Sequence, residues 1–140
     1  MERRRFLGRL GTGTIAVSAL VPLSAASSEA SAGKTETNSL KNGAIQHMVI
    51  FNLNHEKGSA LAEKFLGDGK RILTRIPVVQ NFQVFNQTSL KNGFDYGFSM
   101  VFSDKLAYDT YNNHPDHVGF VENRWKKEVV SFLEIDFQNH

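Results

Sequence analysis

The sequence predicts an α+β fold, a ferredoxin-like βαββαβ plait that pairs with a second copy to form a dimeric α/β barrel. One observation behind this is the order of periodic segments after residue 44, which runs strand, helix, strand, strand, helix, strand. Another is the last strand, which is apolar on both faces although the two helical elements can cover only one face of a four-stranded sheet. A third is size: 140 residues, 41% hydrophobic and without cysteine, suit one core that no disulfide supports.

The fold occupies residues 45–137. Residues 1–32 read as a twin-arginine-type export signal. Arg3-Arg4-Arg5-Phe6-Leu7 supplies the paired arginines and apolar follow-on, and Ala30-Ser31-Ala32 supplies a small-x-small cleavage site. The apolar run between them, residues 10–23, is short for a bilayer span and broken by Gly11, Gly13, Ser18 and Pro22, which favours cleavage over anchoring. Residues 33–44 are polar and read as a disordered linker. Taking the four arginines and two glutamates of residues 1–32 from the 16 basic and 14 acidic residues leaves 12 of each. The mature chain is then neutral overall, which argues against a nucleic-acid partner, and against a membrane partner after signal cleavage. The expected location is periplasmic or extracellular.

In the first strand Ile45, His47, Val49, Phe51 and Leu53 share one face. Ser59 can cap a helix carrying Leu61, Phe65, Ile72 and Ile76, which must stop before Pro77. Gly67 and Gly69 weaken its middle, or make room for something held close to the backbone. Residues 81–88 form a second strand, with Phe82 and Val84 opposed to Gln83 and Phe85. After the Lys91-Asn92-Gly93 turn, Tyr96, Phe98, Met100 and Phe102 share one face of a third strand. Ser103 is the expected cap of the helix that reaches Tyr111. Val118, Val121 and Trp125 mark a further short helix, and residues 129–137 a last strand. In it Val129, Leu133 and Ile135 lie on one face, and Val130 and Phe132 on the other.

The richest chemistry lies from Tyr111 to Phe120. His114 and Pro115 form a structural hinge: a residue before proline avoids the α region, and proline suits the first position of a new helix. His117 then falls in a first turn, where the helix dipole disfavours a protonated imidazole and keeps a proton acceptor available near pH 7. His55, in a turn, and His140 read as solvated.

Four features together resemble the stress-responsive dimeric α/β-barrel (Dabb) family over residues 45–137. They are the opening Ile45-Gln46-His47-Met48-Val49-Ile50-Phe51, the Ile76-Pro77 step, the Tyr-x-x-His-Pro-x-His-Val-x-Phe block beginning at Tyr111, and the terminal Asp136. The resemblance implies a homodimer with a pocket between sheet and helices. In a plant polyketide cyclase of the family, a tyrosine and a histidine of the block perform an aldol condensation without metal or organic cofactor. By motif position, His117 would be the base and Tyr111 would orient or polarise a carbonyl, both catalytic, with His47 in the pocket. The expected substrate-binding wall is His47, Val49, Phe51, Phe65, Tyr96, Phe98 and Phe120. The chain departs from the cyclase at Tyr96, in place of a pocket histidine, and at Gly69, in place of a bulky aromatic, which implies a different substrate.

Three functions are compatible with these residues. One is a lyase, cyclase or isomerase acting on a small carbonyl compound without cofactor or metal. Another is a binding protein for a small apolar or aromatic ligand. The third is a metal or haem protein built on His47, His114 and His117. Each of these side chains also has a plainer use, His114 in tying off a helix, His47 as a satisfied core histidine and Tyr111 as core.

Overall fold

The computed structural model describes residues 39–140, so the expected export signal and the start of the linker lie outside the described residues. Within them, residues 41–44 make a turn, Ala44 is buried, and Gln138 and Asn139 donate to the Gly43 and Leu40 carbonyls. The ordered domain therefore reaches back into the segment expected to be disordered. Strands β1 (Ile45–Leu53), β2 (Gln80–Asn86), β3 (Tyr96–Phe102) and β4 (Val129–Phe137) form one antiparallel sheet in the order β2-β3-β1-β4. Helices α1 (Ala60–Leu73), α2 (Lys105–Asn113) and α3 (Pro115–Phe120) cover one face. This is the ferredoxin-like plait that the order of segments predicts.

Strict alternation decides β1 and β3. Ile45, His47, Val49, Phe51 and Leu53 are buried towards the helices, opposite Phe102, Met100, Phe98 and Tyr96 of β3. In α1 Ser59 caps as expected, its hydroxyl accepting from Ala62 N–H. The buried stripe is Ala62, Phe65, Leu66, Gly69 and Leu73, while Leu61 is 59% exposed, so the apolar face lies one residue along from the one expected. The helix ends at Leu73, ahead of Pro77; the Thr74 hydroxyl donates to the Lys70 carbonyl, and Ile76 is buried in the turn that follows. The cap of α2 is Asp104 and not Ser103: its carboxylate accepts from Ala107 N–H at 2.8 Å.

Two irregularities separate the second half from its periodic reading. After α3 the chain makes a π-helical turn, Val121–Trp125, in which Lys126 N–H bonds the Val121 carbonyl. Phe120, Val121 and Trp125 face inward and Val118 is exposed, so the spacing of Val118, Val121 and Trp125 does not mark the buried face. In β4 the partner sequence passes from Asn52–Ser131 to Leu53–Val129, making Val130 a bulge. Val129 therefore shares the helix side with Phe132, Glu134 and Asp136, and the outer face carries Leu133, Ile135 and Phe137 against Ile50, Met48 and Gln46. Leu133 and Phe137 are each 49% exposed there.

The π turn is clamped to α1 by charge. Arg124 bonds both Asp68 and Glu128, and its guanidinium lies 5.5 Å from the Phe65 ring centre. His55, far from solvated, bonds Glu128 at 2.8 Å with most of its side chain covered. Lys64, then Arg124 and Arg71, hold the Asp68 carboxyl well below the usual carboxylate range against the opposing effect of burial. Arg124→Ala should cost about 2 kcal/mol in urea denaturation near neutral pH, because two carboxylates lose a charged donor. Asp68 has a folded pKa below its ordinary 3.8, so its contribution is complete above that value and lost as pH falls beneath it. The difference between Arg124→Ala and wild type should accordingly shrink in denaturation series carried below about pH 4.

Candidate active site

A cavity of about 390 Å³ lies between the sheet and the helices. The sheet contributes His47, Val49, Phe98, Met100, Phe132 and Glu134. The helical layer contributes Leu73, Tyr111, His117, Phe120, Val121 and Trp125, with Lys126 beside them.

The polar end is assembled from three elements. The β1–β4 register sets His47 opposite Asp136, and His47 Nδ1 lies 2.7 Å from Asp136 Oδ1. From α2, the Tyr108 hydroxyl comes to 2.9 Å from the same ring nitrogen and 3.1 Å from Asp136 Oδ2. One proton arrangement satisfies all three: Nδ1–H and the Tyr108 O–H both donate to the carboxylate. His47 Nε2 then carries the lone pair and has no hydrogen-bond partner among the described residues.

The break between α2 and α3 sets the second imidazole. His114 N–H bonds the Tyr111 carbonyl, its ring Nδ1 accepts from Asp116 N–H at 3.1 Å, and Pro115 opens α3. One turn on, His117 Nδ1 lies 3.1 Å from the Asn112 carbonyl, so Nδ1 is the donor and Nε2 the free acceptor. The His117 and Tyr111 ring centres are 4.2 Å apart. Burial is the main cause that lowers the His117 pKa, with His47 adding to it and the Asn112 carbonyl opposing. Desolvation thus supplies the main cause of the lowering that was expected from the helix dipole.

Tyr111 is 3% exposed, and its hydroxyl has no hydrogen-bond partner among the described residues. Burial pushes its phenol above the ordinary 10, with Tyr108 and Glu134 adding to the effect. Near neutral pH the cavity thus holds a phenolic donor and an uncharged imidazole acceptor within contact of each other, with a second, carboxylate-oriented imidazole on the opposite wall. Such a set can remove a proton from carbon while hydrogen-bonding a neighbouring carbonyl.

Residues 45–139 match the family described as the Stress responsive A/B Barrel Domain, Dabb. The chain belongs to the Dabb family. A Dabb family protein from Mesorhizobium loti with a ferredoxin-like fold is 46% identical, with a TM-score of 0.69 over 71% of this chain and 99% of that one. A hydroxynitrile lyase from Passiflora edulis shares the fold at 8% identity and a TM-score of 0.63, covering 71% of this chain and 96% of that one. A protein from Thermobifida fusca, described as dimeric, ferredoxin-like and of unknown function, is 16% identical with a TM-score of 0.59, covering 73% and 96%. A comparison with curated proteins finds no match.

Of the residues singled out by sequence, this Dabb domain gathers His117, Tyr111, His47, Val49, Phe98 and Phe120 around the cavity. Phe51, Phe65 and Tyr96 do not line it. The cavity spans the His47–Met100 and Val49–Phe98 rungs of the sheet, and the Phe51–Tyr96 rung lies beyond them. There Phe51 packs on Trp125 and Phe98 with ring centres 4.9 Å apart in each case, Phe65 packs on Phe51 at 5.9 Å, and the Tyr96 hydroxyl accepts from Gly58 N–H. His114 serves as a helix cap, and among the described residues no group of three histidines or carboxylates is placed to hold a metal. From the sequence, Asp136 stands out only as a mark of the family and Phe132 only by its strand face, and neither they nor Tyr108 or Glu134 are marked as site residues. Tyr108 stands one turn before Tyr111, and two carboxylates alternate along an apolar strand; both signals were available.

Gly69 keeps the cavity open. A Cβ there would meet Phe98 Cζ at 2.8 Å and Phe120 Cζ at 3.2 Å, and both rings border the cavity. In Gly69→Ala these rings should move into the empty volume. Stability should change by no more than about 1 kcal/mol, because the helix gains what repacking loses. A crystal structure and a urea midpoint check this; unmoved rings contradict it.

Proposed function

We propose that the cavity catalyses proton transfer beside a carbonyl in a lyase, cyclase or isomerase reaction on a small carbonyl compound. His117 Nε2 takes the proton as the C–H bond breaks, and the electron pair moves to the carbonyl oxygen. The Tyr111 hydroxyl hydrogen-bonds that oxygen, and His47, oriented by Asp136, faces the substrate from the other wall. The observation that carries this is a Tyr111 hydroxyl, unpartnered among the described residues and on a side chain that is otherwise buried at the cavity wall, beside an imidazole that burial disposes against protonation. Imidazole and phenol suffice for this chemistry, with no cofactor or metal. The Passiflora neighbour, named a hydroxynitrile lyase, indicates that such a plait can carry a lyase site.

The alternative is a binding protein that uses the same cavity without turnover, favoured by its largely apolar wall. Deuterium wash-in at the α-carbon of aryl and cyclic ketones, followed by NMR, separates the two. His117→Gln and Tyr111→Phe should each slow exchange by roughly 10²-fold or more while ligand binding persists. A protonated His117 cannot act as base, so the wild-type rate should fall as pH drops through an ionisation below the ordinary 6.5. With the Tyr111 phenol raised, no loss from its ionisation should occur below pH 10. Ligand binding with exchange no faster than in buffer would establish the binding-protein reading.

We also propose that the functional unit is a homodimer, formed through the outer sheet face, and that it is exported. The half-exposed Leu133 and Phe137, beside Ile135, Met48 and Ile50, support the first; the twin-arginine pattern and small-x-small site support the second. Light scattering at micromolar concentration should give twice the chain mass. Leu133→Glu should give the monomer with its circular dichroism unchanged.

A further inference from the structure

Two charged side chains reach the cavity wall, Glu134 and Lys126, and they are not equivalent. The Lys126 ammonium is bonded to Glu122, one turn back, with both side chains largely in solvent. Glu134 follows Asp136 along the helix-side row of β4 and stands opposite Val49 in the ladder. The Asp136 carboxylate is occupied by His47 and Tyr108, whereas that of Glu134 has neither a hydrogen-bond nor an ion-pair partner among the described residues. Glu134 is an exposed residue whose charge nonetheless acts at the polar end of the cavity: after burial and Tyr108 it adds to the raising of the Tyr111 phenol, and with the Asn112 carbonyl it opposes the lowering of His117. The adjoining wall is aromatic. Trp125 and Phe132 meet edge to face with ring centres 5.7 Å apart, and ring faces attract cations.

We propose that Glu134 makes this a charge-selective site, which accepts compact ring compounds bearing an amine or hydroxyl donor and rejects those whose polar group is a carboxylate. The proposal rests on the cavity being the ligand site of the reading above, and it adds the class of ligand. A carboxylate entering this apolar space faces a like charge and finds its nearest ammonium already bonded to Glu122. An ammonium is neutralised by Glu134 and attracted by the Trp125 and Phe132 faces. A hydroxyl donates to Glu134 or to a free imidazole nitrogen.

Trp125 is the single tryptophan of the chain and borders the cavity, so its fluorescence reports occupancy. Three probes share one framework: 3-phenylpropylamine, 3-phenylpropanol and 3-phenylpropanoate. Titrated into the wild type at pH 7 and low salt, they should bind in that order, with amine and carboxylate separated by about fivefold or more. Glu134→Gln should bring the three to within about twofold, with circular dichroism unchanged. Equal affinities in the wild type, tightest binding of the carboxylate, or an order that persists in Glu134→Gln would each overturn the proposal. The first denies charge selection, the second makes Lys126 dominant, and the third removes Glu134 as the cause. No quenching by any probe overturns both this proposal and the cavity as ligand site. A charge preference in a protein that exchanges no ketone proton leaves the proposal standing and removes the catalytic reading alone.

Discussion

The candidate site depends on the register between β1 and β4. His47 is a polar ring on a face otherwise given to Ile45, Val49, Phe51 and Leu53, and a buried imidazole without a partner is costly. Asp136 removes that cost only because the two residues are opposite each other in the ladder. A slip of one residue would turn Asp136 outward and bring Ile135 or Phe137 inward. The Val130 bulge takes up the extra residue at the far end of β4, beyond the paired run from Gln46–Phe137 to Asn52–Ser131. The irregularity is thus kept away from the cavity, and Phe132, Glu134 and Asp136 stay in phase along its wall.

The helical layer meets the same demand by a different device. A regular helix from Pro115 would present Val118, Val121 and Trp125 on one side. Across the π turn Phe120 and Trp125 both border the cavity and both pack on Phe65, while Arg124 reaches back to Asp68, so this segment supplies the aromatic wall and ties it to α1. A missing Cβ at Gly69 lets Phe98 and Phe120 lie against the helix and not in the open volume. The space is a consequence of where the large rings are allowed to rest.

Much of this was legible in the sequence. Alternation in β1 and β3, the Ser59 cap and the break at His114-Pro115 are local signals, and each is decided by forces acting within a few residues. What was hidden is non-local. The bulge that moves Val129 across the sheet depends on the partner strand, and the π turn after Phe120 leaves no mark on a 3.6-residue period. His55 reads as a turn histidine until Glu128, 73 positions away, is brought to 2.8 Å. The pairing of His47 with Asp136 spans 89 positions, and only a register could have matched them. His117 was placed on the right element, but desolvation, a property of the packed layers, does the work assigned to a helix dipole.

Desolvation also separates the roles of the two imidazoles. The same burial lowers the affinity of His117 for a proton and raises that of the Tyr111 phenolate, so both groups are neutral over the same wide pH interval. A proton on His117 would be bonded to no carboxylate; its Nδ1 meets only the neutral Asn112 carbonyl. His47 Nδ1, by contrast, lies 2.7 Å from Asp136, a contact that fixes the orientation of the ring. A base that must act and be regenerated in each cycle is better served by the first environment. The second suits a group that stays in place and fixes one wall of the cavity, and this difference is the ground for proposing His117, and not His47, as the base.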